Sequence, residues 1–327
     1  MKHHFGDFLD RDGNYWTVVP NRERYSYLMK DIKNVDEKSI EILTITKSDE
    51  NWRKIFSYPK LIELTLHEPN KEQVIEISNL QNLRRLRITH FRAKDIKFIS
   101  KLINLEELVL EYVSGFSDLS PLISLDKLKS IHLENLRRVK NFGGLSGLLN
   151  LKYLSIDGTL DWKQPIENFD FLNGLPKLEI FKVGQVITKA PYPELLPLCK
   201  LRNLKRIRLP LNMFSAEEYA LVSTALQNIE GADFSPVNRF GYLSMPIPDD
   251  DPRINLSDKE IKAKHPEVRI IYDGSREIMD PNSEWFDFIG KGSGRIKCSS
   301  PNVKMKCEEF IKKYNKLIKK AKETISL

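Results

Sequence analysis

Cysteine and long apolar runs are both scarce in this 327-residue chain. Its three cysteines, at positions 199, 298 and 307, are too few and too scattered for a disulfide framework, and none belongs to a CxxC pair. No run of eighteen apolar residues occurs, so the sequence predicts no membrane-spanning helix. The first residues contain no apolar stretch of signal-peptide type. We therefore expect a reducing, cytoplasmic environment.

Most of the chain also lacks an excess of basic residues, although the net charge is +7. Residues 295–327 contain ten Lys or Arg and three Glu, which accounts for all of that excess. The preceding 294 residues are therefore neutral overall. A broad nucleic-acid footprint is not supported, because the positive charge belongs to one terminal segment.

What the chain does contain is one apolar phrase repeated nine times. Each phrase has an apolar residue, two variable residues, an apolar residue, one variable residue and a third apolar residue. Successive phrases start 21 to 27 residues apart. The anchors are Ile40-Leu43-Ile45, Leu61-Leu64-Leu66, Leu83-Leu86-Ile88, Leu105-Leu108-Leu110, Leu128-Ile131-Leu133, Leu151-Leu154-Ile156, Leu178-Phe181-Val183, Leu204-Ile207-Leu209 and Ile229-Ala232-Phe234.

This phrase and its period resemble the leucine-rich repeat superfamily over residues 38–236. Residues 116–131, FSDLSPLISLDKLKSI, are especially similar to the 22-residue repeats of bacterial internalins and phosphatase-regulatory repeat proteins. The resemblance implies an α/β solenoid: a horseshoe with about nine short parallel strands on its concave face, capped at both ends. It also implies a surface that holds a partner. The family's asparagine is kept only at Asn212, and the equivalent positions hold Pro69, Phe91, Val113, Leu136, Thr159 and Val186.

The chain divides into three predicted regions. Residues 1–39 form an N-terminal cap, with a hairpin around Asp12-Gly13 and a short helix. The repeat array covers 40–236, and its short early units leave room only for tight or 3₁₀ return segments. A capping box at Ser215 and Glu218 predicts a helix in the longer late units. Residues 237–327 form a C-terminal cap region ending in a basic amphipathic helix.

That last helix, from about residue 302, has two possible roles. Apolar residues recur at spacings of three and four, and lysines occupy the other faces. The apolar stripe either packs on the last repeat as a cap, with the lysines solvated, or docks on an acidic partner or an anionic membrane. Just before it, glycines at 290, 292 and 294 imitate a phosphate-binding run, but no helix signal follows, and we interpret them as a turn.

The candidate partner site follows from the alternation of side chains along a strand. The third, fifth and seventh positions of each phrase point away from the buried anchors, and we expect them on the solvent-facing side of the sheet. They describe an acidic column flanked by arginines, which would suit a protein partner with a basic centre and repel nucleic acid. The predicted partner-binding residues are Arg85, Arg87, Glu107, Glu111, Tyr112, His132, Glu134, Tyr153, Asp157, Lys182, Arg206 and Arg208.

Reaction chemistry is poorly supported. The start of a calcium loop at residues 10–14 lacks the required glycine and the final glutamate. His67, His90 and His132 could share a metal with Glu107 or Glu111, but no HxH or HxxxH spacing fixes a ligand set. No cysteine has a nearby histidine in sequence, and the C-terminal region is too small for a ubiquitin-ligase domain. We predict no enzyme activity, no cofactor and no metal.

These observations favour a non-enzymatic bacterial protein that binds a protein partner on its concave face. An inhibitory role, such as immunity to a toxin, would suit the charges and the lack of reaction chemistry. The alternative is a secreted effector or adaptor that uses the repeats for targeting and the basic C-terminal helix for membrane or host contact. The sequence leaves the oligomeric state open.

Overall fold

The computed structural model describes residues 2–4, 25–29, 32, 35–241, 244–271, 274–279 and 283–326. The chain forms two compact units. One contains Met1–Met213 and Ala225–Asp233, and the other contains Phe214–Thr224 and Phe234–Leu327. The hairpin predicted around Asp12-Gly13 and the calcium-like segment lie outside the described residues.

A ten-stranded sheet organises the first unit. Its first strand is antiparallel to the second, and every later pairing is parallel. A separate parallel pair lies beside it. The sheet consists of β1 (Lys2–His4), β2 (Tyr25–Leu28), β3 (Ile42–Thr46), β4 (Glu63–His67), β5 (Arg85–Arg92), β6 (Glu107–Ser114), β7 (Ser130–Glu134), β8 (Tyr153–Asp157), β10 (Ile180–Gly184) and β12 (Arg206–Arg208), and the pair consists of β9 (Gln164–Ile166) and β11 (Val186–Thr188).

The repeated phrase sets the register of this sheet. Equivalent anchors lie opposite one another on adjacent strands, as Leu64 does with Leu86 and Leu86 with Leu108. These three side chains are buried, so the anchors stack into one continuous core. Eight of the nine phrases form strands, as predicted. The ninth gives only an isolated bridge between Glu230 and Arg206, and the parallel strand β2 precedes the first phrase.

The return segments are mostly 3₁₀ helices, as the short repeat length predicts. Each is held by a backbone hydrogen bond three residues back, such as the one from the Leu125 N–H to the Leu122 carbonyl. The 3₁₀ segments are Glu37–Ser39, Trp52–Ser57, Ile77–Asn79, Lys97–Lys101, Ser120–Ser124, Gly143–Leu145 and Asp170–Gly174, and the short α-helices are α1 (Lys71–Glu76) and α2 (Leu196–Cys199).

Two buried glutamines hydrogen-bond backbone groups in repeats that lack the family's asparagine. The Gln164 side chain accepts a hydrogen bond from the Leu136 N–H at 2.9 Å and donates to the Val139 carbonyl at 2.7 Å. The Gln73 amide donates to the Thr46 carbonyl at 2.7 Å. Both glutamine side chains are buried, so they satisfy backbone groups that water cannot reach.

The described residues of the second unit form two small antiparallel sheets, three α-helices and one 3₁₀ helix, Pro252–Asn255. Ile247, Ile261 and Val268 form the apolar core of one part. The Glu218 N–H donates to the Ser215 hydroxyl at the start of the first helix, in agreement with the predicted cap. The elements are α3 (Ala216–Ala225, whose last residue belongs to the first unit), β13 (Val237–Phe240), β14 (Ser244–Pro246), α4 (Asp258–Lys264), β15 (Val268–Ile270), β16 (Arg276–Met279), β17 (Trp285–Phe288), β18 (Arg295–Lys297) and α5 (Val303–Ser326).

The apolar stripe of α5 packs within this second unit. Phe310, Tyr314 and Ala321 are buried, and the Phe310 ring stacks on Phe288 with 4.7 Å between centroids. The stripe is therefore covered by residues of the same unit, and the lysines are exposed. Among the described residues, no helix is both long and apolar enough to cross a membrane.

The three glycines before α5 form a turn between β17 and β18. Gly290, Gly292 and Gly294 all have positive φ, and the Phe288 N–H donates to the Gly294 carbonyl across the turn. Left-handed glycines closing a hairpin explain the run without a phosphate.

Candidate functional site

The candidate site is the face of the large sheet that carries the third, fifth and seventh positions of each phrase, which we call the variable face. All twelve predicted residues lie on it or at its edges, but they differ in exposure. Arg85, Glu107, Glu111, His132 and Tyr153 are buried. Arg87, Glu134, Asp157, Lys182 and Arg206 are partly exposed, while Tyr112 and Arg208 are exposed.

The expectation that these side chains reach solvent is therefore wrong for five of the twelve predicted residues. One reason is that oppositely charged side chains pair across adjacent strands instead of pointing outward. Another is an apolar cluster on the same face, formed by Val109, Tyr153 and Ile180. Over β5 and β6, the acidic residues and the arginines therefore pair with each other and do not form separate acidic and basic surfaces.

The most deeply buried of these pairs is centred on Arg85. Its Nε donates to Glu107 Oε2 at 2.9 Å, and its Nη1 lies 3.9 Å from Glu63 Oε2. The three residues take the third position of the phrases that form β4, β5 and β6, and none of the side chains is more than 2% exposed. Burial lowers the pKa of Arg85 to about 10, while the charge of Glu107 opposes that shift, so the guanidinium stays protonated at neutral pH.

A second group lies further along the same strands. Arg87 Nε donates to Glu111 Oε2 at 2.8 Å, and His132 Nε2 lies 3.5 Å from Glu134 Oε2. Ligand atoms of Glu111, His132 and Glu134 all lie within 4.8 Å of one another, and we call these three residues the mixed cluster. Sequence spacing had predicted no metal site, because the parallel register, and not local spacing, brings the three together.

Asp157 adjoins the mixed cluster on β8, directly opposite Glu134. Burial raises the pKa of the Asp157 carboxyl; the nearby His132 opposes that shift and the negative charge of Glu134 adds to it. Four ionisable side chains from three consecutive strands are thus concentrated in one half-buried part of the variable face.

An exposed aromatic stack lies at the edge of the variable face, and we call it the rim stack. His90 and Tyr112 lie nearly parallel, with 4.7 Å between ring centroids and 7° between planes. His67 meets His90 edge-on at 5.7 Å. Burial raises the pKa of the Tyr112 hydroxyl, and the charge of Glu134 and a hydrogen bond with it add to the shift.

Two residues of this stack have an unusual backbone conformation. His90 and Tyr112 both have φ of +54°, in the left-handed region that β-branched and bulky residues rarely adopt. The same positive-φ turn recurs in neighbouring repeats. Its backbone can donate to the next repeat, as the Glu68 N–H does to the Thr89 carbonyl at 3.0 Å. The stack is therefore held by a rigid, repeated turn.

The register of the anchors identifies the architecture. Across β3 to β8 and on to β10 and β12, the middle apolar residue of each LxxLxL phrase lies beside its equivalent on the next strand. Each strand is followed by a short return segment with its own buried apolar residue, such as Ile99 or Leu122. The array is a leucine-rich-repeat solenoid.

Comparison with known proteins adds distant similarities. No model of a protein family matches the sequence. The disease resistance protein RPP2A of Arabidopsis thaliana is 29% identical over 140 residues, which are 42% of this chain. The matched part is 10% of that relative, so the chain corresponds to only a small portion of it.

Solved structures with similar folds share little sequence. Internalin C2 from Listeria monocytogenes is 23% identical, covering 46% of this chain and 65% of its own, with a TM-score of 0.37. The leucine-rich repeat protein LIC12759 of Leptospira interrogans is 17% identical, covering 59% of this chain and 54% of its own, with a TM-score of 0.38.

Sequence reasoning missed how the rim stack is assembled. From the sequence, His67 and His90 are candidates only as metal ligands, and Tyr112 is predicted to bind a partner among the acids without being paired with His90. The available signal was their position: His90 and Tyr112 are 22 residues apart, one full leucine-rich repeat, so their side chains had to lie next to each other in the sheet.

Proposed function

We propose that this chain is a non-enzymatic binding protein whose leucine-rich-repeat array holds a protein partner at the exposed edge of the variable face. The observation that carries the proposal is the rim stack. Tyr and other aromatic rings that are rigid before binding supply contact area at a low entropic cost, and they are enriched among energetically dominant interface residues.

The charges beside the stack favour a partner with a basic centre. Glu107 and Glu111 are engaged by arginines of the same sheet, so the sites that remain for a partner are the partly exposed Glu134 and Asp157. Glu134 adjoins the aromatic rings, because it forms a hydrogen bond with the Tyr112 hydroxyl. Asp157 lies opposite Glu134 on the next strand. An apolar anchor on the rings and a cation on these carboxylates would complement this region.

The non-enzymatic part of the proposal is supported by the cysteines. All three are free thiols and partly buried, and burial raises the pKa of Cys307, which is the opposite of what a nucleophilic thiolate requires. Free thiols also support the proposal of a reducing, cytoplasmic location.

The proposal predicts that removing the rim stack abolishes capture of the partner. We expect His67→Ala combined with His90→Ala and Tyr112→Ala to weaken binding by about 2 kcal/mol or more, roughly thirtyfold in Kd. The measurement is affinity capture from the native cell, followed by titration of the recovered partner against wild type and variant.

Ile103→Ala is the matched control, because Ile103 is an exposed apolar residue of a return segment. It should leave both capture and Kd unchanged. An unaltered Kd for the triple variant, with a Tm like that of the wild type, would refute a partner site at the rim.

Immunity to a toxin is the finer form of the proposal. It expects the captured partner to be a protein whose toxic activity falls when the two are mixed in equimolar amounts. The triple variant should then fail to rescue growth of cells that express the toxin. A captured partner that has no toxic activity would eliminate the immunity role while leaving the binding function intact.

A further inference from the structure

We propose that Glu111, His132 and Glu134 bind a zinc ion that links adjacent repeats. The mixed cluster offers one imidazole nitrogen and two carboxylates, and these ligand atoms lie within 4.8 Å of one another. The cluster arises from strand register: Glu111 on β6 lies directly opposite Glu134 on β7, and His132 shares the face of β7 two residues earlier.

Electrostatics gives the physical reason for a cation here. Two carboxylates directly opposite each other on adjacent strands repel, and burial strengthens that repulsion. Glu111 is 4% exposed and the Glu134 side chain is 14% exposed. Arg87 bonds Glu111, but it lies on β5, the side away from Glu134. A divalent ion between the two carboxylates would offset the repulsion directly, and with Glu134 engaged in this way Asp157 would remain as the carboxylate for a basic partner.

Buried polar atoms on the next strand adjoin the mixed cluster without belonging to its three ligands. Ser155 lies opposite His132 in register and is fully buried, and its hydroxyl has no hydrogen-bond partner among the described residues. The Asp157 Oδ1 atom, opposite Glu134, is likewise buried without a hydrogen bond in the described part of the chain. Polar atoms of this kind are costly unless an ion or water satisfies them.

The ligand chemistry favours zinc over calcium, magnesium and copper(I). Zinc accepts histidine nitrogen together with Asp or Glu oxygen at four-coordinate sites, whereas calcium and magnesium prefer oxygen alone. No thiolate belongs to the cluster, which disfavours copper(I). The Arg87 hydrogen bond to Glu111 would act as an outer-shell contact that orients the ligating carboxylate.

The test uses the full chain, stripped with a chelator and then dialysed against zinc chloride. We expect about one zinc per chain by elemental analysis and a higher Tm with zinc than without it, because the ion binds the folded state. Calcium or magnesium in place of zinc should not raise the Tm. His132→Ala should weaken zinc binding about tenfold or more and remove the Tm shift.

His265→Ala is the control, since it removes a partly exposed histidine of the second unit that lies outside the cluster. It should retain both the zinc and the Tm shift. If His132→Ala does not fold, Glu134→Gln keeps the side-chain shape and tests the same ligand set. Zinc content in wild type no higher than in Glu134→Gln, or a Tm unaffected by zinc, would overturn the proposal.

Discussion

Replacing Arg85 with methionine is expected to destabilise the repeat array by about 3–5 kcal/mol, the cost of breaking a buried charge pair by removing one partner. The substitution removes the guanidinium that bonds Glu107 at 2.9 Å and lies 3.9 Å from Glu63. Two carboxylates that are almost inaccessible to solvent would then lose the cation between them. Urea unfolding followed by circular dichroism measures the difference.

Arg84 provides a control of the same residue type at the neighbouring position. It bonds Glu106 at 2.7 Å, but its side chain is 43% exposed. Exposed ion pairs contribute about 0–1 kcal/mol, so Arg84→Met should have a small effect. Equal destabilisation by the two substitutions would contradict the prediction.

A compensating variant separates charge from packing. Adding Glu63→Gln and Glu107→Gln to Arg85→Met removes the buried negative charges while keeping side chains of similar size. Because most of the penalty comes from uncompensated charge, the triple variant should recover more than half of the lost stability. A triple variant as unstable as the single one would mean that lost packing, and not charge, dominates.

The Arg85 cluster also shows where sequence-based reasoning succeeds and where it stops. The anchors at Leu64, Leu86 and Leu108 could be predicted, because a period in the low twenties with a fixed apolar spacing is specific to one strand per unit. The same alternation correctly places Glu63, Arg85 and Glu107 on the opposite face of the sheet. It contains no information on whether that face is open to water.

Other features depended on pairing between repeats, which local patterns do not encode. Glu111, His132 and Glu134 have no metal-ligand spacing along the chain, and only the register of β6 and β7 brings them together. The left-handed conformation of His90 and Tyr112 was equally unpredictable, because glycine or asparagine usually marks such a position. Strand β2 carries no repeat phrase and pairs with β3 all the same.

The missing asparagines lead to the last prediction. The sequence shows that Leu136 stands where the family has asparagine, and therefore that some other group must satisfy the local backbone. It does not show which one. The structure assigns the task to Gln164, 28 residues later, whose side chain bonds the Leu136 N–H and the Val139 carbonyl.

Gln164→Leu is expected to cost about 2–6 kcal/mol, because it leaves two buried backbone groups unsatisfied at about 1–3 kcal/mol each. Thermal and urea unfolding measure the loss. Gln81→Leu is the control: Gln81 is an exposed glutamine that bonds the Ser78 carbonyl, and its replacement should change stability by about 0.5 kcal/mol or less.

Gln164→Glu tests the donor half of this interaction separately. A carboxylate can still accept from the Leu136 N–H, but it repels the Val139 carbonyl, whereas the protonated acid can donate to it. Burial should raise the pKa of the new carboxyl in the folded state above its unfolded value of about 4.3. The folded protein then binds the proton more tightly, so stability is retained below about pH 4 and falls as the pH rises through the folded-state pKa. If the difference from wild type were the same at pH 4 and pH 7, the new carboxyl would have the same pKa in the folded and the unfolded protein, which would contradict its burial against the Val139 carbonyl.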